Sequence, residues 1–156
     1  MTTPCNLSPG ARRGRAALLF GRAWLALAGA LAIHVTDEAL TDFLAVYNST
    51  VLVIRARLPW SPLPTFTFRV WVFGLAALVA LLFALSPAAS RGARWIAVVA
   101  VPFSAMMIGN GLLHVGSSIY LWRFMPGVYS SPILITASVL SLIYAIRLIR
   151  VIREGV

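Results

Sequence analysis

The sequence contains no lysine, one cysteine and only four acidic residues among its 156 positions. Charged side chains make up 11% of the chain and hydrophobic residues 60%, whereas a soluble domain carries about 25% charged residues. So few charges cannot cover a surface that faces water on all sides, which excludes an ordinary soluble protein. Because Cys5 is the single cysteine, an internal disulfide is excluded as well.

The chain also lacks the motifs that identify a nucleotide-binding protein or a serine hydrolase. It has no glycine-rich phosphate loop after a strand and no Gly-x-Ser-x-Gly sequence. The net charge of +9 does not indicate a nucleic-acid partner, because the arginines flank apolar runs and do not line one solvated face. Their placement is typical of topology signals and of contacts with lipid headgroups, so membrane lipids are the expected surroundings.

Four apolar runs are long enough to cross a bilayer as helices, which requires about 20 residues each. We predict spans at about 16–36, 66–86, 95–122 and 131–150, preceded by a disordered tail at 1–14. The sequence therefore predicts an all-α fold, a polytopic four-helix transmembrane bundle that forms one domain over residues 15–153.

Proline positions indicate where these helices end or bend. No proline occurs between Pro9 and Pro59, so the first helix is expected to continue past the bilayer to about residue 48. Residues 48–65 contain three prolines and predict a connection, with a short interfacial element near residues 51–58. Pro87 is expected to end the second span and Pro102 to bend the third.

The arginines also indicate the orientation of the chain. With both ends inside, nine arginines lie on the inner side and four on the outer side. The inner set is Arg12, Arg13, Arg15, Arg22, Arg91, Arg94, Arg147, Arg150 and Arg153, and the outer set is Arg55, Arg57, Arg69 and Arg123. This favours a multi-pass protein of the cell's inner (plasma) membrane with cytoplasmic N- and C-termini. The alternative is a signal peptide cleaved after Ala30-Leu31-Ala32, which would leave three spans.

Ionisable residues cluster at the end of the first span. Asp37, Glu38 and Asp42 lie within nine residues of His34, and only one other acidic residue, Glu154, occurs in the chain. His34 and Glu38 are four positions apart and share one face of a helix. An ionised carboxylate inside the hydrocarbon region costs about 2.5–3.5 kcal/mol on insertion scales. These groups must therefore face a wet cavity, pair with a base, bind a cation or take up protons.

The third span carries a matching polar face. Asn110 and His114 are four positions apart, with glycines nearby that permit close approach of another helix. From Ala16 to His34 the rise is about 27 Å, and from Trp95 to His114 about 28 Å, at about 1.5 Å per residue. Both faces are therefore expected at similar depth, near the outer interface, where they would form one polar pocket between the first and third spans.

These residues resemble the HXXEE family of bacterial membrane proteins. The motif reads His34-Val-Thr-Asp37-Glu38 here, with Asp37 in place of the first glutamate. The resemblance continues at Asn110 and His114, and at Tyr120 and Pro126-Gly127. It implies the location of a site, but no reaction, and the shorter side chain of Asp37 puts a fixed ligand geometry at that position in doubt.

The leading functional hypothesis is a metal-dependent membrane enzyme. His34, Glu38 and His114 are the predicted ligands of one divalent transition metal such as Zn, Fe or Mn. Glu38, Asp37 and Asn110 are the predicted catalytic residues, with Asn110 orienting a ligand or a lipid-like substrate. In such a site the metal activates water or oxygen.

Three alternatives stay open at this stage. His34 and Glu38 can instead carry metal-free acid/base chemistry, such as isomerisation of a lipid. Intramembrane acids and histidines can also serve a proton- or cation-coupled transporter or sensor, which with four helices would require an oligomer. Finally, the cluster can be a structural polar network with Arg69 or Arg123 as counter-charges.

Overall fold

The computed structural model describes residues 8–155, and all regular structure among them is helical. Five helices follow in chain order: α1 (Pro9–Leu40), α2 (Phe43–Arg57), α3 (Phe68–Ser90), α4 (Arg94–Tyr120) and α5 (Ser131–Glu154). Four of them, all except α2, are long and apolar enough to cross a membrane. The predicted all-α fold with four spans is confirmed, whereas several helix boundaries differ from the prediction.

Helix α1 begins earlier than the sequence suggested. The side chain of Ser8 accepts a hydrogen bond from the amide of Ala11 at 3.4 Å, and Pro9 occupies the first turn. A proline in the first turn lacks only an amide hydrogen that would have no helical partner. The prediction of a disordered tail is therefore wrong for residues 9–14, and its residues 1–7 lie outside the described part of the chain.

The prediction that the first helix continues to residue 48 is also wrong. Helix α1 ends at Leu40, where Thr41 donates its hydroxyl to the carbonyl of Asp37 at 2.6 Å. Asp42 follows in the left-handed conformation with a φ of 57°. Aspartate tolerates this conformation better than most residues, so the chain changes direction here without glycine or proline and starts α2.

The remaining boundaries show smaller differences. Thr67 caps α3 by accepting from the amide of Val70 at 3.4 Å. Pro87 lies inside the last turn of α3, which continues to Ser90 and does not stop at the proline. Pro102 lies within α4 as predicted, and α5 continues to Glu154.

Helix α1 is at the centre of the packing. It contacts α3 on one side and α5 on the other, and α5 in turn packs along α4. Phe20 and Leu27 are fully buried among α1's neighbours, and Trp24 donates its indole N–H to the carbonyl of Leu82 at 2.8 Å. Helices α1 and α4 have little direct backbone contact, so long side chains must bridge the space between them.

The two ends of the bundle differ in composition. The start of α1, the α3–α4 turn and the end of α5 meet at one end, where a Cβ on Gly92 would lie 2.8 Å from Ala17 and 3.7 Å from Leu148. We call this the arginine end, because all nine arginines of the predicted inner set lie towards it. The end of α1, α2 and the start of α5 lie at the opposite end, where Trp60 and Trp122 are highly exposed.

Helix α3 exposes much of its apolar surface. Val70, Phe73 and Leu81 are each more than half exposed, at 62%, 71% and 53%. A continuous apolar surface of this kind is unfavourable in water and is typical of a helix that faces lipid. This exposure agrees with a membrane protein.

Candidate functional site

The polar residues of α1 and α4 meet at the end opposite the arginine end. His34 and Glu38 occupy one face of α1 because they are one helical turn apart, and Asn110 and His114 do the same on α4. His34 is 1% exposed, Glu38 5% and His114 8%. The structure therefore brings together four of the five residues predicted to form the site, and it buries the three predicted ligands.

Glu38 lies between the two histidines. Its Oε1 is 3.0 Å from Nε2 of His114 and 3.4 Å from Nε2 of His34. The rings of His34 and His114 are arranged edge to face with centroids 4.9 Å apart. Asn110 completes the arrangement, since its Nδ2 lies 3.0 Å from Nε2 of His34.

A relay of hydrogen bonds fixes the tautomer of His34. Ser130 donates its hydroxyl to Oδ2 of Asp37 at 2.7 Å, and its amide donates to the same oxygen at 2.9 Å. The hydroxyl has one proton, so its oxygen must accept from Nδ1 of His34, which lies 2.8 Å away. In the neutral imidazole, Nε2 then carries a lone pair directed towards Glu38 and Asn110.

This tautomer has a consequence for the centre of the site. The lone pair of His34 Nε2 and the carboxylate oxygen of Glu38 are both acceptors, and they lie 3.4 Å apart. Nε2 of His114 is 3.0 Å from the same carboxylate oxygen. The amide Nδ2 of Asn110 can donate to the His34 lone pair, and one proton between His114 and Glu38 satisfies their contact, whereas a cation would be held by the same nitrogen and oxygen atoms. The geometry thus fits either a metal ion or an acid/base pair.

The spacing of the donor atoms agrees with a small transition-metal ion. One ligand atom each from His34, Glu38 and His114 lies within 4.8 Å of the other two. Zinc binds histidine nitrogen and carboxylate oxygen at about 2.0–2.2 Å, which places tetrahedral ligand atoms about 3.3 Å apart. The distances of 3.0 and 3.4 Å from Glu38 lie close to this spacing.

Gly127 closes the site from the turn between α4 and α5. Its φ is +80°, and a Cβ there would lie 2.9 Å from Cε1 of His114 and 3.1 Å from Cγ of Glu38. Its carbonyl accepts from the hydroxyl of Ser131 at 2.7 Å, which holds the turn against α5. Only glycine satisfies both the left-handed conformation and the close approach to the two side chains.

The sequence reasoning missed Ser130 and interpreted Gly127 only as part of a motif. A serine next to the start of a helix is common as a cap, so Ser130 carried no functional signal. Its role depends on the contact with α1, which is 93 positions away for Asp37 and 96 for His34.

Asp37 and Asp42, the other two acidic residues near His34, lie outside the group formed by His34, Glu38 and His114. Asp37 is half-buried and bonds to Ser130, so it reaches His34 only through that hydroxyl. Asp42 is exposed at the start of α2 and lies outside the cluster. Within residues 8–155 no arginine lies within 4.0 Å of a carboxylate, so Arg69 and Arg123 are not the counter-charges that the structural alternative required.

A cleft of about 370 Å³ leads to the site from the side of the bundle. Its floor includes Asn110 and His114, and its walls include Phe43 and Tyr47 of α2. The ring of Phe43 lies 5.6 Å from that of His114 and 5.8 Å from that of Tyr47. The cleft therefore opens between α2 and α4, beside the turn that contains Met125 and Pro126.

Comparison with known proteins agrees with the residues that form the site. No curated protein and no solved structure matches the chain. A family model described as "Protein of unknown function with HXXEE motif" matches residues 24–142, which is well over half of the chain and includes every residue of the cluster. The chain therefore belongs to the family of proteins with the HXXEE motif.

Proposed function

We propose that this protein is a metal-dependent membrane enzyme that acts on a lipid-like substrate. One observation carries the proposal: His34, Glu38 and His114 each offer one buried ligand atom, and these three atoms lie within 4.8 Å of one another. Two imidazoles and one carboxylate form a ligand set that suits zinc, iron or manganese. When bound, such an ion acts as a Lewis acid that activates water or oxygen.

The surrounding residues would orient the ligands. The relay from Asp37 through Ser130 holds His34 with Nε2 available to a metal, as outer hydrogen bonds do for most metal-binding histidines. Asp37 is therefore proposed as a positioning residue. Rotation of the Asn110 amide by 180° would present its oxygen where Nδ2 now lies, 3.0 Å from His34 Nε2, and so offer a further ligand or a contact with substrate.

The cleft supports a substrate with an apolar chain. It reaches His114 and Asn110 between aromatic side chains and apolar residues of α2 and α4. The exposed Trp60 and Trp122 at this end are typical of a membrane interface. We propose that the site lies near the outer interface of the inner membrane, with both termini in the cytoplasm.

Metal content is the first test of this proposal. The protein would be purified in detergent without a polyhistidine tag, exposed to zinc, iron or manganese, washed and measured by elemental mass spectrometry. The parent should retain about one equivalent of one metal, because three buried ligands hold it. The His34→Ala/His114→Ala variant should retain none, and Asp42→Asn, which removes an exposed acid outside the cluster, should behave as the parent.

A second measurement tests the enzymatic part of the proposal. Proteoliposomes made from a total bacterial lipid extract would be incubated with the parent and with Glu38→Gln, and their lipids compared by mass spectrometry. A lipid consumed by the parent alone supports an enzyme of this class. If parent and Glu38→Gln leave identical lipid profiles although the parent binds metal, the protein is not an enzyme acting on those lipids.

Metal-free acid/base chemistry is the second candidate. The 3.0 Å contact between Glu38 Oε1 and His114 Nε2 is a hydrogen-bond distance that a single proton satisfies without a metal. Such a pair can move a proton on a substrate in the cleft. Lipid turnover that requires Glu38 in a parent protein free of metal would favour this candidate over the metalloenzyme.

A further inference from the structure

A second groove lies at the arginine end, on the opposite side of the molecule from the His34 cluster. It has a volume of about 360 Å³ and runs between the start of α1 and the end of α5. Four arginines line it, two from each helix: Arg12, Arg15, Arg147 and Arg150. All four side chains are exposed, so their charges are available at the mouth of the groove.

Helical spacing creates this concentration of charge. Arg12 and Arg15 are three positions apart on α1, and Arg147 and Arg150 are three apart on α5, so each pair lies on one helical face. The two helices run in opposite directions and pack against each other. Their faces therefore meet with guanidinium groups on both sides of one groove.

The floor of the groove is apolar. Ala16, Leu19 and Val151 line it, and all three are half-buried. Leu19 lies one turn deeper in the bundle than Arg15, which places apolar surface on the side towards the bilayer centre. A ligand that fits this groove has an anionic head and an apolar chain, in that order along α1.

The arginines have little internal neutralisation. Glu154 is the one acidic residue in the described lining of the groove, and its carboxylate forms no ion pair within 4.0 Å with an arginine of the described chain. The guanidinium carbon of Arg147 lies 5.5 Å from the ring centroid of Tyr144, a cation–π contact that holds the side chain along the groove. Guanidinium groups pair with phosphate oxygens through two parallel hydrogen bonds.

We propose that this groove binds one anionic phospholipid. The phosphate lies among the guanidinium groups of α1 and α5, and the first part of an acyl chain lies on Ala16 and Leu19. Charge complementarity favours an anionic over a zwitterionic headgroup, because a choline or ethanolamine cation would face the same arginines. This site is independent of the His34 cluster and of the reaction proposed there.

The chain offers a matched pair of variants to test the proposal. Arg12→Gln/Arg147→Gln removes two charges that line the groove, whereas Arg13→Gln/Arg153→Gln removes two charges from the same ends of the same helices outside its lining. Both change the net charge equally. Phosphatidylglycerol, phosphatidylcholine and inorganic phosphate would be titrated into detergent-solubilised protein, and binding followed by native mass spectrometry.

The parent should bind one phosphatidylglycerol in preference to phosphatidylcholine. The groove variant should bind it at least about tenfold more weakly, while the control variant changes by less than about threefold. Equal weakening by both variants would show a diffuse basic surface and overturn the proposal, as would equal affinity for the two lipids. Saturation by inorganic phosphate at the same concentration as by lipid would identify a phosphate site and also overturn it. If the groove variant aggregates, Arg15→Gln/Arg150→Gln provides the same test.

Discussion

The hydroxyl oxygen of Ser130 lies 2.8 Å from Nδ1 of His34, although the two residues are 96 positions apart in the chain. This contact joins the residue that precedes α5 to the polar face of α1. Because Ser130 also donates to Asp37 at 2.7 Å, it determines which nitrogen of His34 carries the proton. If the site binds a cation as proposed, the orientation of His34 towards that cation depends on Ser130.

Ser130→Ala should weaken metal binding about 10- to 100-fold, the usual effect of removing an outer hydrogen bond to a metal-binding histidine. Without the Ser130 hydroxyl, His34 should no longer be restricted to one neutral tautomer. Nitrogen-15 chemical shifts report the tautomer directly, and the signals are easy to assign because the chain contains two histidines. The measurement is metal affinity by competition with a chelator, together with the ¹⁵N spectrum of the metal-free protein.

Ser138→Ala is the matched control for this prediction. Ser138 is a buried serine within α5, the helix that Ser130 precedes, and its hydroxyl donates to the carbonyl of Leu134 at 2.7 Å. It should leave both the metal affinity and the histidine spectrum unchanged. A folded Ser130→Ala protein with the tautomer and the metal affinity of the parent would refute the relay.

Gly127→Ala should damage the site and the fold together. A non-glycine residue in the left-handed conformation costs about 1–2 kcal/mol, and the new Cβ would lie 2.9 Å from the ring of His114. We expect a lower free energy of unfolding in detergent and the loss of bound metal. Gly116→Ala is the control: nothing lies within 4 Å of its Cβ position, so it should stabilise α4 by about 0.5–1 kcal/mol. Retention of parent stability by Gly127→Ala would contradict the assigned turn.

The local part of the site was predictable from the sequence because helical periodicity is a local property. His34 and Glu38 share a face whatever surrounds them, and so do Asn110 and His114. The expectation that the two faces meet depended on equal rise along α1 and α4, and the contacts of Asn110 and His114 with α1 confirm it. The roles of these residues stay predictions.

The part that was not predictable depends on contacts between distant segments. The break at Thr41 and Asp42 contains neither glycine nor proline, and it is maintained by a side-chain bond to Asp37 and by the packing of α2. Likewise, Ser130 reads as an ordinary helix cap until α1 is placed beside it. Local patterns specify which residues share a face, whereas tertiary contacts decide which additional residues complete the site.

Gly21→Ala should destabilise the arginine end of the bundle. A Cβ on Gly21 would lie 2.6 Å from the Cα of Ser90, a backbone atom that moves only with the end of α3. Overpacking of this kind costs about 1–3 kcal/mol, measured as the free energy of unfolding in mixed micelles. Gly29→Ala on the same helix, where nothing lies within 4 Å, should not be destabilised. Equal stability of the two variants would show that α1 and α3 are not in close contact there.

The connection between α2 and α3 depends on Asn48. Its Nδ2 donates to the carbonyl of Phe66 at 2.9 Å, and its Oδ1 accepts from the amide of Phe66 at 3.1 Å, so one amide side chain satisfies both backbone groups. Tyr47 adds a bond from its hydroxyl to the carbonyl of Pro64 at 3.1 Å. These contacts hold α2 over the cleft that leads to His114.

Asn48→Ala should therefore release residues 58–67 while the spanning helices stay folded. We expect hydrogen exchange of the Phe66 amide to increase about tenfold or more, because that amide loses its acceptor and opens at low free-energy cost. Asn48→Asp, which keeps an acceptor but lacks the donor, should give an intermediate rate. Thr50→Ala removes only a bond within α2 to Val46 and should leave the exchange unchanged. If the Phe66 amide of Asn48→Ala exchanges at the parent rate, packing alone holds the connection between α2 and α3. The position of α2 over the cleft would then not depend on the hydrogen bonds between Asn48 and Phe66.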